Sequence, residues 1–121
     1  MPRVVHFEIY AEDPERAVQF YQEVFGWKVQ RWEGVEDYWL VTTGEEAEPG
    51  IDGAIARRTK DETTYNIVDI PSVDETTEKV LAAGGKVVRP KFAVPGQGYV
   101  AYYQDTEGVV FGVMQADPSA K

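Results

Sequence analysis

Val4-Val5-His6-Phe7-Glu8-Ile9-Tyr10-Ala11-Glu12-Asp13-Pro14-Glu15-Arg16-Ala17-Val18-Gln19-Phe20-Tyr21-Gln22-Glu23-Val24-Phe25-Gly26-Trp27-Lys28-Val29 is the stretch whose reading decides the fold. Val4 to Tyr10 alternates. Val5, Phe7 and Ile9 fall on one side of an extended chain, and His6, Glu8 and Tyr10 on the other. One side asks for a core; the other is polar without being uniformly charged. Asp13 then offers a side-chain acceptor to the unpaired amides of a first helical turn, and Pro14 suits the first helical position. Ala17, Val18, Phe20, Tyr21, Val24 and Phe25 recur at helical spacing as one apolar stripe. Gly26 is a natural helix stop, and a strand pattern resumes at Trp27.

Downstream, the spacing predicts strands over 27–32, 38–43 and 51–58, with Gly44 to Gly50 as an acidic, solvated loop. The pattern then restarts. Residues 64–70 read as a strand, and Ser72-Val73-Asp74-Glu75 is a capping box. Val73, Thr77, Val80, Leu81 and Ala83 form a second helical stripe, ended by Gly84-Gly85. Residues 86–88, 99–104 and 109–115 are further strands. Pro90, Pro95, Gly96 and Gly98 predict a loop between the first two of these, and 116–121 reads as a loose tail. The two helix caps lie 72 − 13 = 59 positions apart, and Gly26-Trp27-Lys28-Val29 answers Gly84-Gly85-Lys86-Val87 at an offset of 58. Each half therefore reads β-α-β-β-β. Neither half could bury its sheet alone, so the expectation is one α+β domain over 1–121, with module one at about 3–58 and module two at about 62–116.

Composition narrows the function. The chain has 121 residues, 43% of them hydrophobic, as in ordinary globular proteins. No apolar run approaches the roughly 20 residues that span a bilayer, and residues 1–5 lack the apolar core of a signal peptide. A cytoplasmic protein is the expectation. A net charge of −9 repels phosphate backbones and anionic lipid, so neither nucleic acid nor membrane is an expected partner. Without cysteine, thiolate chemistry and cysteine metal sites are excluded. No nucleophile-elbow serine or dinucleotide fingerprint is present. Three Trp, seven Tyr and five Phe supply either core or the walls of a ligand cavity.

The residues from His6 to Ala17, then Phe20-Tyr21 and Val24-Phe25-Gly26-Trp27, resemble the opening of a vicinal oxygen chelate domain, the glyoxalase/bleomycin-resistance/dioxygenase superfamily. Gln104-Asp105-Thr106-Glu107-Gly108 followed by Val109 to Gln115 resembles its closing strand, and Pro95-Gly96-Gln97-Gly98-Tyr99 also fits. The similarity covers about Val4 to Ala116. It implies two tandem modules whose curved mixed sheet surrounds a cavity, with helices outside. In metal-dependent members the first and last strands of each module supply His, Gln or Glu ligands to one divalent ion, a Lewis acid for neighbouring substrate oxygens.

Carried onto this chain, the four ligand positions are His6, Tyr65, Ala54 and Gly112, where metal-dependent relatives carry Glu at the last. One ligand survives, whereas a catalytic ion usually keeps three. No metal or other cofactor is therefore expected. If a divalent metal is bound, His6, Glu8 and Asp52 are the replacement set. Without metal, His6 is a neutral imidazole bonded to Glu8, Tyr65 or Tyr10. Glu8 is then either paired with Arg57 or Arg58 or, with His6, an acid/base pair.

Three functions are consistent with this pattern, one of them a domain whose partner is another protein or a second copy of itself. The first is a protein that binds a small, partly aromatic or hydrophobic molecule, with Tyr10, Trp39, Tyr65, Tyr99, Tyr103 and Met114 as ligand-binding residues. Trp27, Trp32, Tyr38 and Tyr102 are further wall candidates. The second is a divalent-metal-dependent lyase, isomerase or dioxygenase built around His6 and Glu8. By analogy with the superfamily, the chain is expected to form a homodimer.

Overall fold

In order along the chain, the computed structural model places β1 at Arg3–Ala11, α1 at Pro14–Phe25, β2 at Lys28–Arg31, β3 at Tyr38–Thr42 and β4 at Asp52–Arg57. There follow β5 at Thr64–Asp69, α2 at Val73–Ala82, β6 at Lys86–Val94, β7 at Gly98–Gln104 and β8 at Val110–Ala116. The structure describes residues 2–33 and 37–121. Two helices and eight strands in mixed ladders make this an α+β chain. Contacts divide it into two units, His6–Tyr65 and Asn66–Lys121, the latter together with the residues before His6.

In the first unit the strands run β2-β3-β4-β1. β1 and β4 are parallel, with Glu8 opposite Ala54, and the β2–β3 and β3–β4 pairs are antiparallel. The parallel pair is possible because a long crossover containing α1 separates its strands. Asp13 caps α1 as its spacing predicts, accepting from the Arg16 amide, and Gly26 closes it at φ 71°. Trp39, Val41 and Ile55 form the buried core on one face, against Phe7, Ile9, Ala11, Ala17, Val18, Tyr21, Trp27 and Val29. Each fully buried aliphatic side chain here contributes about 1.5–3 kcal/mol. Gly53 lets Phe7 lie directly on the β4 backbone: a Cβ there would stand 2.5 Å from the Phe7 ring.

The predicted stripe on α1 is wider than the face it covers. Ala17, Val18 and Tyr21 reach the core, whereas Phe20, Val24 and Phe25 are exposed. Phe20 and Val24 lie on the flank rotated away from that line. Phe25, in the last turn, stacks on Trp27 with ring centres 5.3 Å apart.

In the second unit the order is β5-β8-β7-β6, with β5 and β8 parallel and the other pairs antiparallel. Ser72 caps α2 by accepting from the Glu75 amide. The core is Ile70, Val73, Ala101, Tyr103 and Val113, with Val68, Val80, Tyr99 and Phe111 against it.

Two sequence expectations are corrected here. The segment after Val88, expected as a loop, continues as strand to Val94. Pro90 is tolerated because β6 is the last strand of its ladder and the pairing shifts register on both sides of Arg89, so the missing amide breaks no regular bond. The expected loose tail is tied down: Gly96 N donates to Ala120 O, Asp117 N donates to Gln97 O, and Ala120 is buried.

Candidate functional site

Because Phe7, Ile9 and Ala11 face α1, the alternation of β1 turns His6, Glu8 and Tyr10 to the opposite face. On β3, Trp39 and Val41 belong to the core, so Tyr38 points to the same side as Glu8. β4 contributes Ala54 and Ala56, both buried, beside Glu8 and Tyr10 on that face, and Asp52 at its start, opposite His6. Long polar side chains from β1 and β3 therefore meet above a strand of small residues.

Glu8 is 6% exposed, the one buried charged side chain among the described residues. A carboxylate in such a place is costly unless its lone pairs are occupied. Two phenols engage one lone pair on each oxygen. Tyr10 Oη donates to Glu8 Oε1 at 2.7 Å, and Tyr38 Oη donates to Oε2 at 2.8 Å, the short range of charge-assisted bonds. His6 Nε2 lies 3.2 Å from Tyr38 Oη. Trp32 tilts against Tyr38 at 5.5 Å and Tyr65 against Tyr10 at 5.0 Å, so aromatic rings frame the chain of bonds.

The environment sets the protons. Burial lowers the His6 pKa and outweighs Glu8 and Asp52, which both raise it. Imidazole is thus neutral at pH 7. Burial raises the Tyr38 pKa strongly, and the charge of Glu8 and the hydrogen bond to it raise it further. Tyr65 is raised by burial first, then by Glu62, Asp61 and Glu8. Both phenols keep their protons.

Several candidate residues come together and others do not. His6, Glu8, Tyr10 and Tyr65 share this face, but His6 bonds Tyr38 rather than Glu8, Tyr65 or Tyr10. Arg57 pairs with Asp37 at 2.9 Å, not with Glu8, and Arg58 donates to the Tyr10 carbonyl. Asp52 lies opposite His6 in the ladder, but its carboxylate caps the β3 end, accepting from Thr43 N at 2.9 Å. Trp39 is a core residue under α1, not a wall of the polar face. In the second unit, Tyr103 is likewise core: it is fully buried and bonds Thr77 Oγ1. Tyr99 packs against that same core, under Lys91. Met114 lies on the other face, beside Val100 in the β7–β8 ladder. Tyr38, a wall candidate in the sequence, is the central hydrogen-bonding residue.

Comparison with known proteins adds a sequence match and a fold match. Residues 3–44 match the family model described as bleomycin resistance protein-like N-terminal. A Mycobacterium bovis protein provisionally named glyoxylase CFP32 is 30% identical over 91% of this chain. The chain spans 44% of that relative's length. A glyoxalase/bleomycin resistance protein/dioxygenase superfamily member from Vibrio splendidus 12B01 superimposes with TM-score 0.67 at 17% identity, covering 97% of this chain and 100% of that one. In the sequence of its first third and in its fold, the chain is similar to the glyoxalase/bleomycin-resistance/dioxygenase superfamily. Methylmalonyl-CoA epimerase from Mycobacterium tuberculosis has a similar fold, with TM-score 0.69 at 13% identity over 94% of this chain and 87% of that one.

In metal-dependent members of that superfamily one divalent ion is the expected cofactor. Among the described residues, no three His, Asp or Glu side chains gather as a cation site. Both oxygens of Glu8 are already held by hydroxyl donors. At Gly112, a Cβ would stand 2.6 Å from Ile67 Cδ1 and 2.9 Å from the Tyr102 ring, so a carboxylate has no room there without repacking. No described helix is long and apolar enough to cross a membrane.

Proposed function

We propose that the chain is a glyoxalase/bleomycin-resistance-like protein that binds a small, partly aromatic or hydrophobic molecule on the face carrying His6, Glu8, Tyr10, Tyr38 and Tyr65, without the usual ion. One observation carries the reading. Glu8, which could have been the strongest anionic ligand of a metal, is instead hydrogen-bonded by two phenol hydroxyls at 2.7 and 2.8 Å. A buried carboxylate so satisfied is a fixed polar anchor, not a vacancy for a cation. The surrounding rings of Trp32, Tyr38, Tyr10 and Tyr65 suit the flat apolar body of a ligand.

The proposal includes a single domain of two modules acting as a homodimer in the cytoplasm. The exposed Phe20, Val24 and Phe25 on α1 suit a buried contact, and a cysteine-free sequence suits a reducing compartment. The rival reading is an enzyme, either a lyase, isomerase or dioxygenase with a non-standard metal around His6 and Glu8, or metal-free acid/base chemistry. The neutral imidazole of His6 suits either form, since both metal ligation and proton abstraction use its free lone pair.

Calorimetric titration with manganese, iron, nickel and zinc, beside Trp fluorescence titration with small aromatic molecules, separates these readings. We expect quenching of Trp32 without stoichiometric metal uptake. One ion bound per chain, lost in His6→Ala, would replace the binder with the metal enzyme.

A further inference from the structure

The protons of the polar face can be assigned one by one from geometry. A hydroxyl has one proton. Tyr38 donates its proton to Glu8 Oε2, and Tyr10 donates its proton to Oε1. Tyr38 Oη can then only accept from the imidazole, so the proton between them at 3.2 Å belongs to His6 Nε2. A neutral imidazole with its proton on Nε2 has a bare lone pair on Nδ1. Every mobile proton of the His6–Tyr38–Glu8–Tyr10 chain is thus directed inward, toward the carboxylate.

We infer that His6 is the specificity-determining residue of this face, presenting Nδ1 as an acceptor to an aromatic or heteroaromatic molecule that carries an O–H or N–H donor. Tyr38 is the positioning residue: anchored by Glu8, it holds the imidazole in the Nε2-protonated form. The same inventory sets what the face rejects. A carboxylate or phosphate beside His6 would find none of the protons of His6, Tyr38 and Tyr10 turned toward it and would meet the charge of Glu8. A ring bearing only acceptors, such as a methyl ether, would leave Nδ1 desolvated and unpaired, which costs about a hydrogen bond. This inference rests on the reading of the face as a ligand seat.

His6 is the single histidine of the chain, so its ring nitrogens can be observed without ambiguity. The test is a long-range proton–nitrogen correlation spectrum of the uniformly labelled full chain at pH 8, alone and titrated with 4-methylphenol or 4-methylanisole. The expected spectrum shows the Nε2–H form, with the Nδ1–H form below detection. Tyr38→Phe should restore a visible Nδ1–H population, and Tyr10→Phe should not. 4-Methylphenol should move the Nδ1 resonance and bind at least tenfold tighter than 4-methylanisole, the ratio for one hydrogen bond of about 1.4 kcal/mol. A dominant Nδ1–H form in the unaltered chain, or equal binding of the two probes, overturns the inference and leaves the ligand seat standing. The Nε2–H form with neither probe bound overturns the ligand seat and, with it, the donor preference.

Discussion

Removing one hydroxyl from the centre of the polar face is the sharpest perturbation available. Tyr38→Phe preserves the ring against Trp32 but deletes the atom that donates to Glu8 at 2.8 Å and lies 3.2 Å from His6. Glu8 is 6% exposed, so bulk water replaces the lost donor poorly. Hydrogen bonds to charged groups contribute roughly 1.5–3 kcal/mol, and the weaker His6 contact adds little, so a loss of about 2 kcal/mol is expected. For a chain of this size that corresponds to a melting temperature roughly 6–10 °C lower. Urea denaturation at pH 7 measures it through the shift in midpoint at constant slope. Combined with Glu8→Gln, the cycle should show a coupling of about 1 kcal/mol or more, because the second change acts on a bond already gone. A loss below about 0.5 kcal/mol, or strict additivity with Glu8→Gln, would refute the claim that Tyr38 holds a buried carboxylate.

Other perturbations probe the remaining parts. Gly112→Glu, which restores the residue of metal-dependent relatives, should destabilise by about 3 kcal/mol through the clash with Ile67 and Tyr102 and confer no manganese binding in calorimetry. His6 has a folded pKa below its ordinary 6.5, so the unfolded chain binds its proton first; its contribution is intact above pH 6.5 and is lost as pH falls below that value. Stability measured from pH 8 to 5 should therefore fall less steeply in His6→Gln than in the parent. Burial raises the Glu62 carboxyl, but bonds from Thr59 Oγ1 and the amides of Lys60, Glu62 and Thr59 outweigh it and bring the pKa to about 2. Its stabilising effect should be present above pH 4.5 and be lost toward pH 2; carbon-detected titration of Glu62 should show this, and Thr59→Val should raise the midpoint. Ile55→Ala, at a fully buried site in the first core, should cost about 2–5 kcal/mol by thermal unfolding.

What could be read from the sequence was whatever local chemistry decides. Asp13 and Ser72 cap helices because a side-chain oxygen three residues ahead of an orphan amide suffices, wherever the rest of the chain goes. The alternation from His6 to Tyr10 separated core from polar face, since one side was apolar and the other was not, but Val5, expected on the core side, is exposed. Parity alone could not orient Tyr38 and Trp39, or Tyr102 and Tyr103, because both neighbours are aromatic. Trp39, Tyr99 and Tyr103 were thus placed in a ligand wall although they serve the cores. The partner of His6 lies 32 residues away on β3, and no local pattern encodes that meeting. Pro90 misled for the opposite reason: its local preference for a loop was overridden by an edge position where a missing amide costs little.

The direct test of an ion-free anchor is the response of Glu8, Tyr38 and His6 nuclear resonances to one equivalent of Mn²⁺ at pH 7.5. Paramagnetic broadening reports proximity to the ion whatever its affinity for other acidic groups of the surface. The account predicts that these three residues broaden no more than the exposed carboxylates of the Gly44–Gly50 loop. Selective loss of their signals at substoichiometric manganese would contradict it.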